Sequence, residues 1–238
     1  MINSKRVLAV IPARKGSKGL PGKNYKVLFG KPLFEWTVEA AKASKYIDKI
    51  LISTDSDIII EKGKLLQVDV PFIRPYELCT DEAKSIDVLE HAINHYNAIS
   101  DHYDLIVLLE PTSPLRKGCD IDLALELMLS ANAQSVVSIS KVTVGHPAFL
   151  FKQNSKKFIA PFLSDGWTPK RRQDCDNFFY LDGSVYASQI TPLMVKRTFC
   201  HEDTVGFELP KWKAFEIDDE VDFFIVESIM KRGFNGEF

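Results

Sequence analysis

The sequence predicts an α/β protein built on a mainly parallel sheet with helices on both faces, and three observations carry that prediction. Apolar runs of strand length alternate with amphipathic segments of helix length. Most of those runs are continuously apolar, the pattern of a strand covered on both sides. The alternation holds to about residue 143 and then breaks into shorter pieces, as an insertion departing from the sheet would.

The elements follow in order. R-V-L-A-V-I-P (6–12) is rich in β-formers and stops at Pro12. A helix is expected from near Pro32, with L-F-E-W-T-V-E-A-A-K (33–42) in helical period. K-I-L-I-S-T-D (49–55) is a buried strand ending on an acid, and S-I-D-V-L-E-H-A-I-N-H-Y (85–96) a helix. D-L-I-V-L-L-E-P-T-S-P (104–114) is an apolar strand halted by two prolines. D-I-D-L-A-L-E-L-M-L-S (120–130) is helical, and Q-S-V-V-S-I-S-K-V (134–142) a strand. Residues 146–163 suggest short strands joined by a turn at Asn154 and Ser155, and residues 178–188 a strand, a turn and a strand. The final helix is expected over 217–231, with Asp218 as N-cap and Val221 opening its apolar face.

At 238 residues the chain suits one sizeable domain with a small appendage. No apolar run approaches the roughly 20 residues of a membrane span, and the opening segment does not read as a signal peptide. Cys79, Cys119, Cys175 and Cys200 form no C-x-x-C pair, which argues against zinc and a disulfide scaffold and suggests a cytoplasmic protein with reduced thiols.

Charge is unevenly placed. Eight of the 30 basic residues and none of the 32 acidic ones lie in residues 1–34, so the remainder has a net charge of −10. A face that coats nucleic acid usually turns the whole domain basic, whereas a local patch suits a small polyanion. The patch centres on I-P-A-R-K-G-S-K-G-L-P-G-K-N (11–24). Gly16, Gly19 and Gly22 let the backbone turn and present N–H groups, and Arg14, Lys15, Lys18 and Lys23 surround them. Amides and cations directly after a first strand suit a chain of phosphates. The spacing is neither G-x-x-x-x-G-K-[ST] nor G-x-G-x-x-G, and the plain alternative is a solvated loop.

Phosphates in an enzyme usually bring a divalent cation, and magnesium takes oxygen ligands. Glu216 and Asp218, two apart near the last helix, are candidates; their plain alternative is a dipole partner at a helix start. Asp182, in L-D-G, is a further acid or an ordinary turn residue. His91 and His95 lie four apart without H-E-x-x-H and read as a helix surface pair. Trp36 reads as core, and Trp167 and Trp212 as rim or interface residues. Ser17 and Ser53 have no triad partners.

These residues resemble the CMP-sialic acid synthetases (acylneuraminate cytidylyltransferases). The opening loop is similar to their signature, and the likeness continues through I-S-T-D (52–55), R-P-Y-E-L-C-T-D-E-A-K-S (74–85), L-L-E-P-T-S-P-L-R (108–116), R-Q (172–173), D-G-S-V-Y (182–186) and E-I-D-D-E-V-D-F (216–223). The resemblance implies a Rossmann-like α/β fold, with about 143–178 as a dimerisation arm inserted in a single domain spanning 1–238, and a homodimer as the active form. It implies that CTP activates a nine-carbon 2-keto sugar acid (a nonulosonic acid), with Mg2+ as cofactor, pyrophosphate as product, and no nucleic-acid or membrane partner. Pro12, Ala13, Arg14, Asn24, Arg74, Ala83 and Ser85 resemble the cytidine-binding set, with backbone groups near 12 and 13 reading the pyrimidine edge. Lys18 and Lys23 resemble triphosphate ligands and, with Arg14 and Asp218, the catalytic set. Arg172, Gln173 and Tyr186 resemble contacts to the sugar acid, Phe199 an aromatic wall for its N-acyl group supplied across the dimer, and Asp218 the principal metal ligand, with Glu216 beside it.

Three positions depart from the family pattern. Glu110 replaces a neutral amide, so it accepts from a ribose or sugar hydroxyl, or the ligand differs. Phe149 stands where some members carry a sugar-contacting lysine, and Glu216 replaces the more usual aspartate. The sugar therefore stays open among neuraminic, legionaminic, pseudaminic and related acids. The expected chemistry is in-line displacement at the α-phosphate, governed by positioning and electrostatics, with no strong general base evident. Two rivals are a nucleotidyltransferase for Kdo or a sugar 1-phosphate, and a non-catalytic nucleotide-binding module.

Overall fold

The computed structural model describes residues 1–163 and 171–233. Chain order is β1 (Val7–Pro12), β2 (Val27–Leu28), β3 (Lys31–Pro32), α1 (Leu33–Ala43), β4 (Lys49–Ser53), α2 (Asp57–Leu65), α3 (Ser85–Ala98), β5 (Leu105–Leu108), α4 (Gly118–Ser130), β6 (Ser135–Lys141), β7 (Phe151–Gln153), β8 (Ile159–Pro161), β9 (Phe179–Gln189), α5 (Ile190–Lys196), β10 (Thr204–Glu208) and α6 (Glu220–Lys231). The central sheet runs β10-β6-β9-β5-β1-β4. Its β10–β6, β5–β1 and β1–β4 pairings are parallel, and β9 is antiparallel to both its neighbours. The predicted mainly parallel α/β sheet is present.

The continuous apolar runs have the predicted cause. In β1, Val7, Ala9 and Ile11 face a core completed by Phe34 of α1, Ile59 of α2 and Leu125 of α4. Leu8 and Val10 face the other core, with Leu89 of α3 and Leu193 of α5. Successive strand residues alternate faces, so two buried faces demand an unbroken apolar run. A third cluster joins Leu20 of the opening loop, Leu28, Leu33 and Leu115 to Ile217, Phe223 and Val226 near the C-terminus. Burying a Leu or Ile contributes about 1.5–3 kcal/mol, against about 0–1 kcal/mol for an exposed ion pair. Leu20 and Ile217 therefore hold the loop and the 216–218 segment together more firmly than the surface charges around them.

Several local expectations need correction. The last helix begins at Glu220 and its N-cap is Asp219, whose side chain accepts the N–H groups of Val221 (2.8 Å) and Asp222 (3.0 Å). Asp222 accepts the Asp219 N–H in return (3.2 Å). Asp218 would have Val221 at the reciprocal position, which has no such group, so the box closes one residue later. Val221 is 66% exposed, and the apolar face starts at Phe223. The run 104–114 forms a strand only over β5; Leu109 still donates to Val10 O (3.0 Å), and Pro111 and Pro114 prevent further pairing. Residues 179–189 form one strand, bent at Gly183 (φ +70°) and shifted in register against β6. Asp182 is thus a buried strand residue, accepting from Ser138 Oγ (2.5 Å), Ser140 Oγ (3.0 Å) and the Ser184 N–H (3.1 Å).

Beyond residue 143 the chain forms the expected small hairpin, β7 with β8. Its turn is built on Asn154, whose side chain accepts the N–H groups of Lys156 (2.9 Å) and Phe158 (3.1 Å). His91 and His95 both sit edge-on to Phe72, at 4.4 and 5.2 Å. Trp36 packs on the third cluster and donates to Leu28 O (3.0 Å), while Trp212 lines a separate apolar hollow with it; Trp167 lies outside the described residues. No helix among the described residues is long and apolar enough to cross a membrane.

Candidate active site

The C-terminal ends of β1 and β5 and the bend of β9 open onto one polar cavity of about 370 Å³. Its wall includes Arg14, Lys23, Asn24, Tyr186, Glu216 and Asp218. A smaller hollow of about 140 Å³, bordered by Arg74, Asp81, Ala83 and Ser85, shares Pro12, Arg14 and Glu110 with it. The two form adjoining compartments with Glu110 at their junction.

The loop after β1 is built to face the larger one. The Ala13 N–H donates to Ser53 O (2.9 Å) and its carbonyl accepts from Thr54 Oγ1 (2.6 Å). Ala13 is wholly buried, and these two bonds tie it to the end of β4. The Lys15 N–H donates to Asp55 (2.6 Å), and Asn24 Nδ2 donates to Arg14 O (2.8 Å), closing the loop. Gly22 takes φ +68° at the final turn. A Cβ on Gly19 would lie 2.4 Å from Asp218 O, so glycine there lets loop and C-terminal segment meet.

The cations are held by carboxylates of the same site. Lys23 donates to Ile217 O (2.8 Å) and to Asp218 (3.0 Å). Arg14 donates to Cys79 O (2.9 Å) and to Asp81 (2.6 Å), and Lys18 pairs with the second Asp81 oxygen (2.9 Å). Hydrogen bonds from Lys18 and Arg14 hold the Asp81 carboxyl below its usual range. Lys18 is mostly exposed and does not line the larger cavity, unlike Lys23. Arg74 is buried: Nε donates to Ser53 Oγ (3.0 Å) and an Nη to Ser53 O, so it braces the smaller hollow from β4. Burial lowers its guanidinium from the usual value.

Glu110 accepts weakly from Ser85 Oγ (3.4 Å), and burial pushes its carboxyl up. Glu216 accepts from Ser113 Oγ (3.3 Å), and is pushed up to about 7 by burial, then by the charges of Glu110 and Asp218. Glu216 and Asp218 line the cavity together. No cluster of three or more His, Cys, Asp or Glu suited to a metal occurs among the described residues. Two carboxylates fit magnesium, a hard ion that commonly takes one or two from the protein and completes its shell with phosphate oxygens and water.

The residues expected to contact the sugar lie in different places. Tyr186 lines the larger cavity. Phe199 packs on Tyr186 of the same chain, centroids 5.6 Å apart, beside the second core. Gln173 borders a different hollow, with His146 at the root of the arm. The backbone of Arg172 lies in the 3₁₀ turn Arg172–Asp174; its side chain lies outside the described residues. Phe149 is also at that root, 6.0 Å from the His146 ring. Sequence reasoning missed Gly183, Ser113 and Asp81; Asp81 had a legible signal, an acid inside the 74–85 motif of a chain whose opening loop is basic.

Residues 8–191 match the family model described as Cytidylyltransferase. The chain is 36% identical over 91% of its length to an N-acylneuraminate cytidylyltransferase of Streptococcus agalactiae serotype III (strain NEM316), covering 51% of that protein. It is 31% identical to a CMP-N,N'-diacetyllegionaminic acid synthase of Legionella pneumophila, over 95% of this chain and 97% of that one. The chain spans about half the length of several curated relatives it matches, and nearly all of others. A solved CMP:2-keto-3-deoxy-manno-octonic acid synthetase complexed with CTP shares the fold, with TM-score 0.68 and 15% identity over 96% of this chain and 100% of that one.

Proposed function

The chain belongs to the cytidylyltransferase family, and from that premise we propose that it joins CTP to a nonulosonic acid, giving the CMP-sugar and pyrophosphate. The observation that carries this reading is the convergence of Lys23, Asp218, Glu216 and Tyr186 on one cavity adjoining the hollow bordered by Arg74, Ala83 and Ser85. The hollow takes the nucleoside, the loop after β1 takes the phosphates, and the far wall of the larger cavity, with Tyr186, takes the sugar acid. The names of the relatives, which include N-acylneuraminate and diacetyllegionaminic acid enzymes, support this substrate class.

In this reading the α-phosphate lies at the junction of the compartments. The anomeric hydroxyl attacks it in line, and the departing pyrophosphate is held by Lys23, Arg14 and the loop amides. These groups stabilise charge as it builds on the phosphate oxygens. Lys23 moves from Asp218 to phosphate when the nucleotide enters. Glu216 and Asp218 would hold Mg2+, which when bound neutralises phosphate charge. Glu110 accepts a hydroxyl of the ribose or the sugar. Arg172 and Gln173, carried on the arm, complete the sugar site across a homodimer, while Phe199 backs Tyr186 within the same chain; the dimer reading is supported by the exposed aromatic and aliphatic residues of the arm, among them Phe158, Ile159 and Phe162. Free cysteines throughout suit a reducing, cytoplasmic setting.

The test is incubation with Mg2+, a panel of nucleoside triphosphates, and a panel of nonulosonic acids, Kdo and sugar 1-phosphates, read by pyrophosphate release and product mass. CMP-nonulosonate from CTP alone is expected. Product only with Kdo or a sugar 1-phosphate contradicts the substrate class, and CTP binding without any product contradicts the reaction.

A further inference from the structure

Arg116 is 3% exposed, and its guanidinium reaches backbone carbonyls of Glu110, on the larger cavity's wall, and of Ser184, next to the wall residue Gly183. Its Nη1 donates to Ser184 O (2.5 Å), and its Nη2 donates to Thr37 Oγ1 (2.7 Å) and Glu110 O (3.1 Å). Ser184 follows Gly183, over which the Glu216 carboxylate lies, and Glu110 is the other half-buried carboxylate of the cavity. One planar cation thus ties the backbone under Glu110 to the backbone beside the Glu216 cradle, bridging β9 and the end of β5, and braces both on α1.

We propose that Arg116 is a positioning residue for the substrate cavity: its buried fork fixes the spacing of the Glu110 and Glu216 carboxylates, and so the site's competence for a metal–nucleotide complex. The inference rests on Glu216 as a metal-holding group. A buried charge without a charged partner at bonding distance is unusual; burial lowers the Arg116 guanidinium, and the nearby carboxyls of Glu110, Asp120, Asp182 and Glu216 oppose that shift. Lysine cannot substitute, because a point charge on a flexible stem does not reach Ser184 and Glu110 at once. The Arg116 Nε is buried without a hydrogen-bond partner. The contacts that matter are therefore those of the two terminal nitrogens, which point to the two site-bearing backbones and to Thr37.

Calorimetric titration of CTP, with and without Mg2+, into the wild type, Arg116→Lys and Arg116→Met tests the assignment. In both variants the gain in CTP affinity on adding Mg2+ is expected to fall by about tenfold or more, the scale of lost outer-shell support, over and above any smaller change in metal-free affinity from the shifted Glu110. A merely structural role would lower the melting temperature and leave the metal-dependent gain intact in the folded fraction. Should both variants fail to fold, Thr37→Val, which removes one acceptor of the fork, is expected to cut the same gain about threefold. A wild-type gain in Arg116→Lys, an equal loss with and without Mg2+, or no shift in Thr37→Val overturns the proposal. A wild type whose CTP affinity ignores Mg2+ overturns the metal reading, and the proposal with it.

Discussion

The Glu216 carboxylate occupies the space that a side chain on residue 183 would need: a Cβ built on Gly183 would lie 1.4 Å from Glu216 Oε1. Gly183 also takes φ +70°, where any other residue is strained by about 1–2 kcal/mol. Gly183→Ala is therefore expected to displace Glu216 as well as strain β9. Turnover should fall by about 10–100-fold, with a stability loss of about 1–2 kcal/mol in denaturant unfolding. Full turnover with only the stability loss would mean that the position of Glu216 is unimportant.

Lys23, like Arg14, lines the larger cavity where the proposed reaction puts the phosphates. Its side chain is largely buried but lies on the wall, and its present partners are a backbone carbonyl and an exposed carboxylate. Lys23→Ala should lower turnover by about 10²–10³-fold or more, the scale of a lost transition-state donor, with an unchanged melting temperature. Near-normal pyrophosphate release would remove the loop from the chemistry.

The cavity's pH response follows from Glu216. Its carboxyl, normally near 4.5, is pushed up to about 7, so the protein holds a proton there at mildly acidic pH. A metal must displace that proton. The apparent Mg2+ affinity should then rise as pH rises through about 7 and level off above it, by about tenfold from pH 6 to 8. The same raised value favours the metal-free fold at low pH, and this contribution is lost as pH climbs through about 7. Glu216→Gln should flatten both trends; a Mg2+ affinity independent of pH would contradict the assignment.

The arm leaves Phe158 71% and Ile159 63% exposed, more apolar surface than a solvated hairpin needs. Light scattering of the wild type should report two chains per particle, and Phe158→Asp with Ile159→Asp should shift it toward one. A wild-type monomer at catalytic concentrations would contradict the homodimer.

The sheet was legible because its parallel strands, buried on both faces, leave long apolar runs, and the loop because eight cations without an acid are conspicuous in a chain of net charge −2. Other features were hidden for physical reasons. No element was assigned to D-I-I-I-E-K-G-K-L, whose β-branched run disfavours a helix; it forms α2 because Ile59 packs on the sheet and Gly63 lets Val70 and Ile52 approach its backbone. T-V-G-F-E became β10 through parallel pairing with β6, where Gly206 admits Ile139, a long-range fit that no local pattern announces. Asp218 was displaced as N-cap by the reciprocal bonding of Asp219 and Asp222, which leaves it on the cavity wall. Lys18 resembled Lys23 in the loop, and only the fold separates them, by turning Lys18 to Asp81.

A crystal structure of the protein with CTP and Mg2+ puts the whole reading to its sharpest test. The β- and γ-phosphates should lie against residues 14–24, with Lys23 moved from Asp218 onto phosphate oxygen and the cytosine in the hollow beside Arg74 and Ser85. Phosphates bound elsewhere, with Lys23 still on Asp218 and the loop facing only solvent, would contradict it.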